Sequence, residues 1–531
     1  MMLIHNANRL VQFILRRDRV RLFIWLVSVI GLTLVFSVFF GEMFPTQEER
    51  DIMAETLKNP AMVAMIGPLY GETYTQDVMF AHEMLLFYIT AVAIMNILFV
   101  ARHTRKDEEL GRLEVVMSQP VGRLANLYST FVVATGINIT IALVTGVGLF
   151  ALNPQTMGLD GSLVYGFSLG MAGLCYAAVT ALFAQIFETN LGTLGFSFAF
   201  LILSYLVRAA GDLSGEVLSF LSPMGIAFRT YPYYKNNWLI IVLLVFVSLL
   251  FGVVALYLNS VRDHGAGLVA AKPGRTHATR FLQSPLGLVM RISRTFTIAW
   301  LVGIFVLGAS YGSVLGDLES FFETNEMFKL MLPQNADYSM TERFIAFIQV
   351  ILAMMGLVPV LQLVLKIRGE ERRGRNEHVL ASAVSRKRYL SCYVFSAIIL
   401  AVVIQIAATL GLWSTGSAVM ESPLAIGRMF VHGLVFMPSS LLMIGIAVFF
   451  IGWLPKASSF AWAYLGYCFF TEYMGDLLKL PKWLKKLTPY GYTPKLPVED
   501  FEPLNLVIIT AIALVLIAFG FAGFSKRDLE G

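Results

Sequence analysis

Along this 531-residue chain, stretches of about 20 apolar residues follow one another with only short polar breaks. A run of that length leaves few choices. Backbone N–H and C=O groups entering hydrocarbon find no water, so an unbroken apolar run satisfies them internally, as an α-helix. At roughly 1.5 Å rise per residue, about 20 residues cross a hydrocarbon layer of roughly 30 Å. Twelve spans are expected, at 22–43, 79–101, 124–152, 163–187, 191–211, 237–259, 295–316, 343–366, 389–412, 428–453, 457–476 and 504–524. The short alternating strands of a membrane barrel are absent from the sequence. With 57% of residues hydrophobic and only 14% charged, the chain has too little polar surface to cover a soluble body, which excludes an ordinary soluble enzyme. Cys175, Cys392 and Cys468 lie far apart in apolar runs and do not suggest a disulfide scaffold.

The chain is also written twice. Residues 111–123 read GRLEVVMSQPVGR and residues 374–386 read GRNEHVLASAVSR. Gly111, Arg112, Glu114 and Arg123 match Gly374, Arg375, Glu377 and Arg386 at one offset of 263 (374 minus 111). The preceding acidic pairs, Asp107-Glu108 and Glu370-Glu371, keep it. Gly211-Asp212 matches Gly475-Asp476, Ser260-Val261-Arg262-Asp263 matches Ser525-Lys526-Arg527-Asp528, and Trp25 matches Trp300. Ordered matches of this kind signal internal duplication. The expected organisation is a first six-span half over 1–259, a linker over 260–280, and a second six-span half over 281–531. Six is even, so both halves run the same way through the membrane, as a parallel repeat. The fold class is therefore all-α polytopic: about twelve transmembrane helices in two tandem, pseudo-symmetric six-helix halves, with interfacial amphipathic helices.

Lys and Arg set the orientation. Arg16, Arg17, Arg19, Arg21, Arg105, Lys106, Arg372, Arg373, Arg386, Lys387 and Arg388 share one side if the N-terminus is cytoplasmic, and both termini then face the cytoplasm. The net charge of +5 is accounted for by this bias and does not call for nucleic acid as a partner. Residues 1–21 are too polar for a cleavable signal peptide. Leu3, Ile4, Ala7, Leu10, Val11 and Ile14 recur at helical spacing, which reads as an amphipathic helix on the inner leaflet; a plain cytoplasmic extension of the first span is the alternative.

In each half the repeated motif falls between the second and third spans, on the inner side. Glu108 and Arg112 are four apart, as helix neighbours are. Leu110, Leu113, Val116 and Met117 form an apolar stripe that Pro120 ends. Orientation needs basic residues, but not a glycine and a glutamate held in register. Two matched segments, Asp107, Glu108, Gly111, Arg112, Glu114 and Arg123 against Glu370, Glu371, Gly374, Arg375, Glu377 and Arg386, point to a partner with two matched sockets. The exposed faces would differ, since Gly369, Arg372 and Arg373 stand where the first copy has Lys106, Glu109 and Leu110.

Charges near the membrane are functional candidates. Arg208 lies three residues before Gly211-Asp212, and Glu472 three before Gly475-Asp476. Pseudo-symmetry sets these two against each other, which suggests an ion pair or shared polar site near an outer gate. Arg208, Asp212, Glu472 and Asp476 are the candidates; the plainer reading is that the charges reach to the outer headgroups. His82, Glu83 and Glu42 read as markers of the outer interface. The Lys-rich loop 477–500 around Trp483 reads as a surface helix. No GxxxxGK[ST] phosphate loop and no HExxH or spaced Cys/His cluster occurs, so neither a nucleotide site nor a metal site is expected in this chain.

On these residues the chain resembles the type 2 ABC export permeases: an acidic pair, Gly-Arg-x-Glu, then Val-x-Arg before the third span, six spans per half, and an N-terminal interfacial helix. It is most similar to their fused twelve-span form, the polyketide-antibiotic exporters of the tetronasin-resistance type. The landmarks are Arg262-Asp263-His264-Gly265-Ala266-Gly267-Leu268, Pro273-Gly274-Arg275, Ser284-Pro285-Leu286-Gly287 and Arg294 before Trp300. Further ones are Leu221-Ser222-Pro223-Met224-Gly225, Leu487-Thr488-Pro489-Tyr490 and Pro494-Lys495-Leu496-Pro497. The resemblance implies a permease subunit, not an enzyme, in a bacterial plasma membrane. It would export hydrophobic or amphipathic compounds, antibiotic-, drug- or lipid-like. Two copies of a separate ABC ATPase would bind ATP and Mg, and the chain itself would carry no cofactor. A lipid or glycolipid flippase for envelope biogenesis uses the same machinery, and a membrane sensor or scaffold is the alternative from another class.

Overall fold

A computed structural model describes residues 2–58, 60–153, 155–263, 265–269, 274, 276–316, 338–420, 425–475 and 481–528. Their regular elements are all helices, and the one β-contact among them is an isolated bridge between Phe187 and Val269. Eleven of their helices are long and apolar enough to cross a membrane. The chain divides into two compact units, Met1–Gly274 and Arg275–Gly531.

In the first unit the long helices are α1 (Ala7–Met43), α2 (Gln76–Glu109), α3 (Ala125–Leu152), α4 (Leu159–Ile186), α5 (Asn190–Ser214) and α6 (Trp238–Val261). The most enclosed is α4, which packs on α2, α3, α5 and α6. Small residues make this possible, because lipid supplies no hydrophobic drive and helices associate by close packing. A Cβ on Gly166 of α4 would stand 2.2 Å from the carbonyl oxygen of Ala142 on α3. Between α2 and α3 the buried amides of Asn96 and Asn138 exchange two hydrogen bonds, of 3.0 and 2.8 Å. The outward faces of α1 and α6 expose Phe23, Ile24, Val35, Val242, Phe246 and Val253, a surface suited to lipid and not to water.

The second unit holds α7 (Pro285–Ser313), α8 (Met340–Glu371), α9 (Arg386–Val419), α10 (Ile426–Trp453), α11 (Phe460–Met474) and α12 (Pro503–Lys526). It repeats the neighbour pattern: α7 on α9 as α1 on α3, and α10 on α12 as α4 on α6. The α7–α9 seam is again closed through glycine, with Gly308 against the Ala408 carbonyl.

Two expectations change. The stretch read as a separate interfacial helix is continuous with the first span: α1 is one helix of 37 residues. Ala7, Leu10, Ile14, Asp18 and Leu22 form one inward stripe, so the amphipathic and membrane-spanning parts share a single helical face. The span expected at 457–476 contains α11, whose 15 residues rise about 22 Å, short of the bilayer thickness. Its start is delayed by the single turn Pro455–Ala457.

The recurring Ser/Thr-Pro-x-Gly landmarks are helix starts. Ser222, Ser284 and Thr488 each cap a helix by accepting from the N–H of Gly225, Gly287 and Gly491 respectively, at 3.2, 3.0 and 3.1 Å. Proline takes the first helical position, where no N–H is needed.

Candidate functional site

The duplicated motif forms the same object in both units. At the end of α2 the chain turns at Gly111 and starts a second helix, Arg112–Met117; at the end of α8 it turns at Gly374 and starts Arg375–Leu380. The two glycines have φ of 69° and 66°, in the left-handed region. A Cβ would meet nothing within 4 Å at either, so the constraint is conformational and not steric crowding. Replacing Gly374 by alanine is therefore expected to lower stability by about 1–2 kcal/mol, and by asparagine less. Thermal unfolding of the purified chain in detergent measures both; equal stability of the alanine and wild-type proteins would remove the turn from the account.

Behind each turn lies a buried ionic latch. Glu108 accepts two bonds from the Arg262 guanidinium (2.8 and 2.7 Å) and one from the Gly265 N–H (2.7 Å). Arg105 lies 3.2 Å from the same carboxylate and donates to the Ala184 carbonyl (3.0 and 2.6 Å). Arg262 also donates to the Gln185 side chain (2.7 Å), and Arg123 donates to the Arg262 carbonyl (2.6 Å). In the second unit Glu371 accepts two bonds from Arg527 (2.6 and 2.8 Å), with Arg368 at 3.1 Å. Arg386 donates to the Arg527 carbonyl (2.6 Å), and Arg527 to the Ile451 carbonyl (3.1 Å). Arg105, Glu108, Arg123 and Arg262 thus correspond one to one with Arg368, Glu371, Arg386 and Arg527. Each latch ties together the ends of three helices: α2, α4 and α6 in one unit, α8, α10 and α12 in the other.

The remaining motif residues divide between bracing and exposure. Asp107 accepts two bonds from Arg17 of α1 (2.6 and 3.0 Å) and one from Arg112 (3.2 Å). Its counterpart Glu370 has the weaker contact with Arg375, at 3.5 Å. Leu113 and, at the matching position, Asn376 turn inward and seat the short helices; Asn376 accepts from the Tyr389 hydroxyl (2.7 Å). Glu114 and Glu377 are exposed, as are Arg112 and Arg375. The residues that differ between copies, Lys106, Glu109 and Leu110 against Gly369, Arg372 and Arg373, are all exposed too.

Part of the arrangement has no repeat counterpart. Asp18 of α1 is buried against His103 (2.7 Å) and Arg102 (3.1 Å) of α2. The N-terminus is pinned to the loop after the short helix, with Gly122 donating to the His5 carbonyl (3.0 Å) and Leu124 to that of Leu3 (2.8 Å).

Near the C-terminal ends of α5 and α11, Arg208 and Glu472 each have a partner in their own unit. Buried Arg208 pairs with Asp212 (3.1 Å) and donates to the carbonyls of Ala64 and Met65 (2.8 and 3.0 Å). Asp212 also accepts from Arg229 and Ser219 (3.3 and 3.1 Å). Glu472 pairs with Lys495 (2.7 Å). Asp476 lies outside the described residues. His82 and Glu83 are buried, with the Tyr74 hydroxyl 2.8 Å from His82 Nδ1.

Two units of apolar spans, each with a braced, exposed elbow after its second long helix, define a duplicated multi-pass membrane protein. The family described as "Multidrug efflux system permease Rv1217c, C-terminal domain" matches residues 9–258 and 282–525, and the chain belongs to it. Among curated proteins the chain is similar to the multidrug efflux system permease protein Rv1217c of Mycobacterium tuberculosis (strain ATCC 25618 / H37Rv). The two are 29% identical over 531 residues, covering 98% of this chain and 95% of the relative.

Proposed function

We propose that this chain is the permease of an ATP-driven exporter, of the fused, tetronasin-resistance kind, moving hydrophobic or amphipathic compounds outward from the cytoplasm or inner leaflet of a bacterial cell. The observation that carries this reading is the duplicated latch with an exposed short helix in front of it. In this reading both termini and both short helices face the cytoplasm. Each short helix seats in one of two copies of a separate ABC ATPase, which hold the ATP and Mg. When the ATPases close, they push on the short helices. Because Glu108 and Glu371 grip the last helix of their unit, the push moves three helix ends as one block, and packed interfaces pass on such displacements as discrete shifts. Burial of the latch keeps water out of the ion pairs that transmit the force.

The test is affinity purification of the tagged full-length chain from its native host, followed by reconstitution. The expected result is an ATPase recovered at two copies per chain, and ATP-dependent accumulation of a labelled amphipathic drug in inside-out vesicles. Recovery of no ATPase, with no ATP-dependent movement of drug or lipid, would leave a sensor or scaffold. Movement of lipid but not of drug would assign a flippase.

A further inference from the structure

Between α1, α2 and α5 of the first unit, on the side of the short helix, a cleft of about 310 Å³ opens. Its lining changes character along the helix axes. Arg21, Arg102 and Lys106 line the end nearest the motif, and Trp25, Leu98 and Phe99 the part further into the span. From Lys106 back to Leu98 along α2 is about 12 Å of rise, so charge gives way to hydrocarbon over the depth at which a lipid headgroup gives way to its chain. The lining carries three cations against one carboxylate, Asp18, which already faces His103 and Arg102. Lys106 has no ion-pair partner among the described residues, and the Arg21 side chain is 60% exposed, 3.7 Å from Asp18. The cleft is thus left with an excess of positive charge above an apolar floor. The second unit keeps the tryptophan, as Trp300, and Leu98, as Leu361, but loses the charges: Phe296, Leu365 and Gly369 stand at the positions of Arg21, Arg102 and Lys106, and Ser293 at that of Asp18.

From the charge excess, the polarity gradient and the loss of these charges from the second copy, we infer that this cleft is a binding site for an anionic, phosphate-bearing amphiphile of the adjacent leaflet, one per chain. The phosphate lies among Arg21, Arg102 and Lys106, and the acyl chain runs along Trp25 and Leu98. The size is at the lower end of ligand sites and suits a headgroup with the upper part of one chain. The inference requires the chain to sit in a membrane, but not that it exports anything or binds an ATPase.

The experiment is a titration of the purified full-length chain, in non-ionic detergent, with 1-palmitoyl lysophosphatidylglycerol, read by native mass spectrometry. One saturable equivalent per chain is expected, weakening as salt is raised. The Arg21→Gln/Lys106→Gln variant should bind about tenfold more weakly, the size that two screened ionic contacts support. A Lys387→Gln/Arg388→Gln control, which removes the same charge from the second unit, should bind as wild type. Both variants alter exposed side chains, and unchanged melting would show them folded; were the first misfolded, ligand selectivity and salt dependence of the wild type decide. Equal binding of lysophosphatidylcholine, two equivalents per chain, full displacement by equimolar inorganic phosphate, or an undiminished affinity in the folded Arg21→Gln/Lys106→Gln protein would each overturn the site.

Discussion

Changing Glu371 to glutamine is expected to lower the melting temperature of the detergent-solubilised chain by on the order of 10 °C. The carboxylate is 1% exposed and stands between Arg527 and Arg368, themselves 14% and 7% exposed. In that setting a lone guanidinium is the costly species. Removing one partner of a buried pair leaves the other charge desolvated and uncompensated, and costs about 3–5 kcal/mol; here Arg527 loses the carboxylate that accepts two of its hydrogen bonds. Glutamine keeps the volume and one acceptor oxygen, so the loss reports charge and not packing. Arg527→Lys should recover little, because a lysine ammonium cannot make the two parallel bonds of 2.6 and 2.8 Å that the guanidinium makes. Glu108→Gln should behave alike, since its carboxylate faces Arg262 and Arg105 in the same geometry. In a double-mutant cycle, Glu371→Gln with Arg527→Gln should be less unstable than the sum of the two single changes. A Glu371→Gln protein that melts within about 2 °C of wild type would show the latch to be idle.

How much of this could be read beforehand depends on what kind of signal each feature leaves. The all-α membrane class was legible because hydrocarbon tolerates only one solution for long apolar runs. The duplicated segment was legible in its repeated register, but the role of its glycines was not: the sequence suggests close approach of another backbone, whereas a Cβ on Gly111 or Gly374 would meet nothing within 4 Å and both serve a left-handed turn. The latch was legible only in pieces. Glu108 belonged to one repeated stretch and Arg262 to another, and their pairing spans 154 residues; nothing local announces it, although the shared register of Arg105, Glu108, Arg123 and Arg262 with their second copies was the usable clue. Arg208 illustrates the reverse. Within its own unit it pairs with Asp212, four residues on at plain helical spacing, a contact that needs no symmetry to find. The continuity of α1 was hidden because an amphipathic stripe and a membrane span have the same 3.6-residue period. The pairing of Asp18 with His103 left no trace, having no counterpart in the second half.

The second large effect separates docking from bracing. Glu114 and Glu377 occupy the same place on the two short helices, both are exposed, and among the described residues neither side chain has a hydrogen bond or ion pair. Nothing in the fold of the described residues uses them, so the Glu114→Ala/Glu377→Ala protein should melt as wild type does. Orientation in the membrane does not use them either, since that depends on Lys and Arg. In the proposed complex, the glutamate kept in register on both elbows serves contact with the ATPase. Truncating one side of a buried, charge-assisted contact at an interface typically costs 2–5 kcal/mol; two such losses should cut drug-stimulated ATP hydrolysis by the reconstituted complex more than tenfold. The two single variants should be unequal, because Arg372 and Arg373 precede the second elbow where Glu109 and Leu110 precede the first. An opposite pattern is expected for Glu108→Gln and Glu371→Gln, which should lose stability and stimulation together. If the doubly substituted protein keeps full stimulation, the short helices do not meet the ATPase through this face. If it melts as early as Glu371→Gln does, Glu114 and Glu377 belong to the bracing after all, and the division between a buried grip and an exposed contact fails.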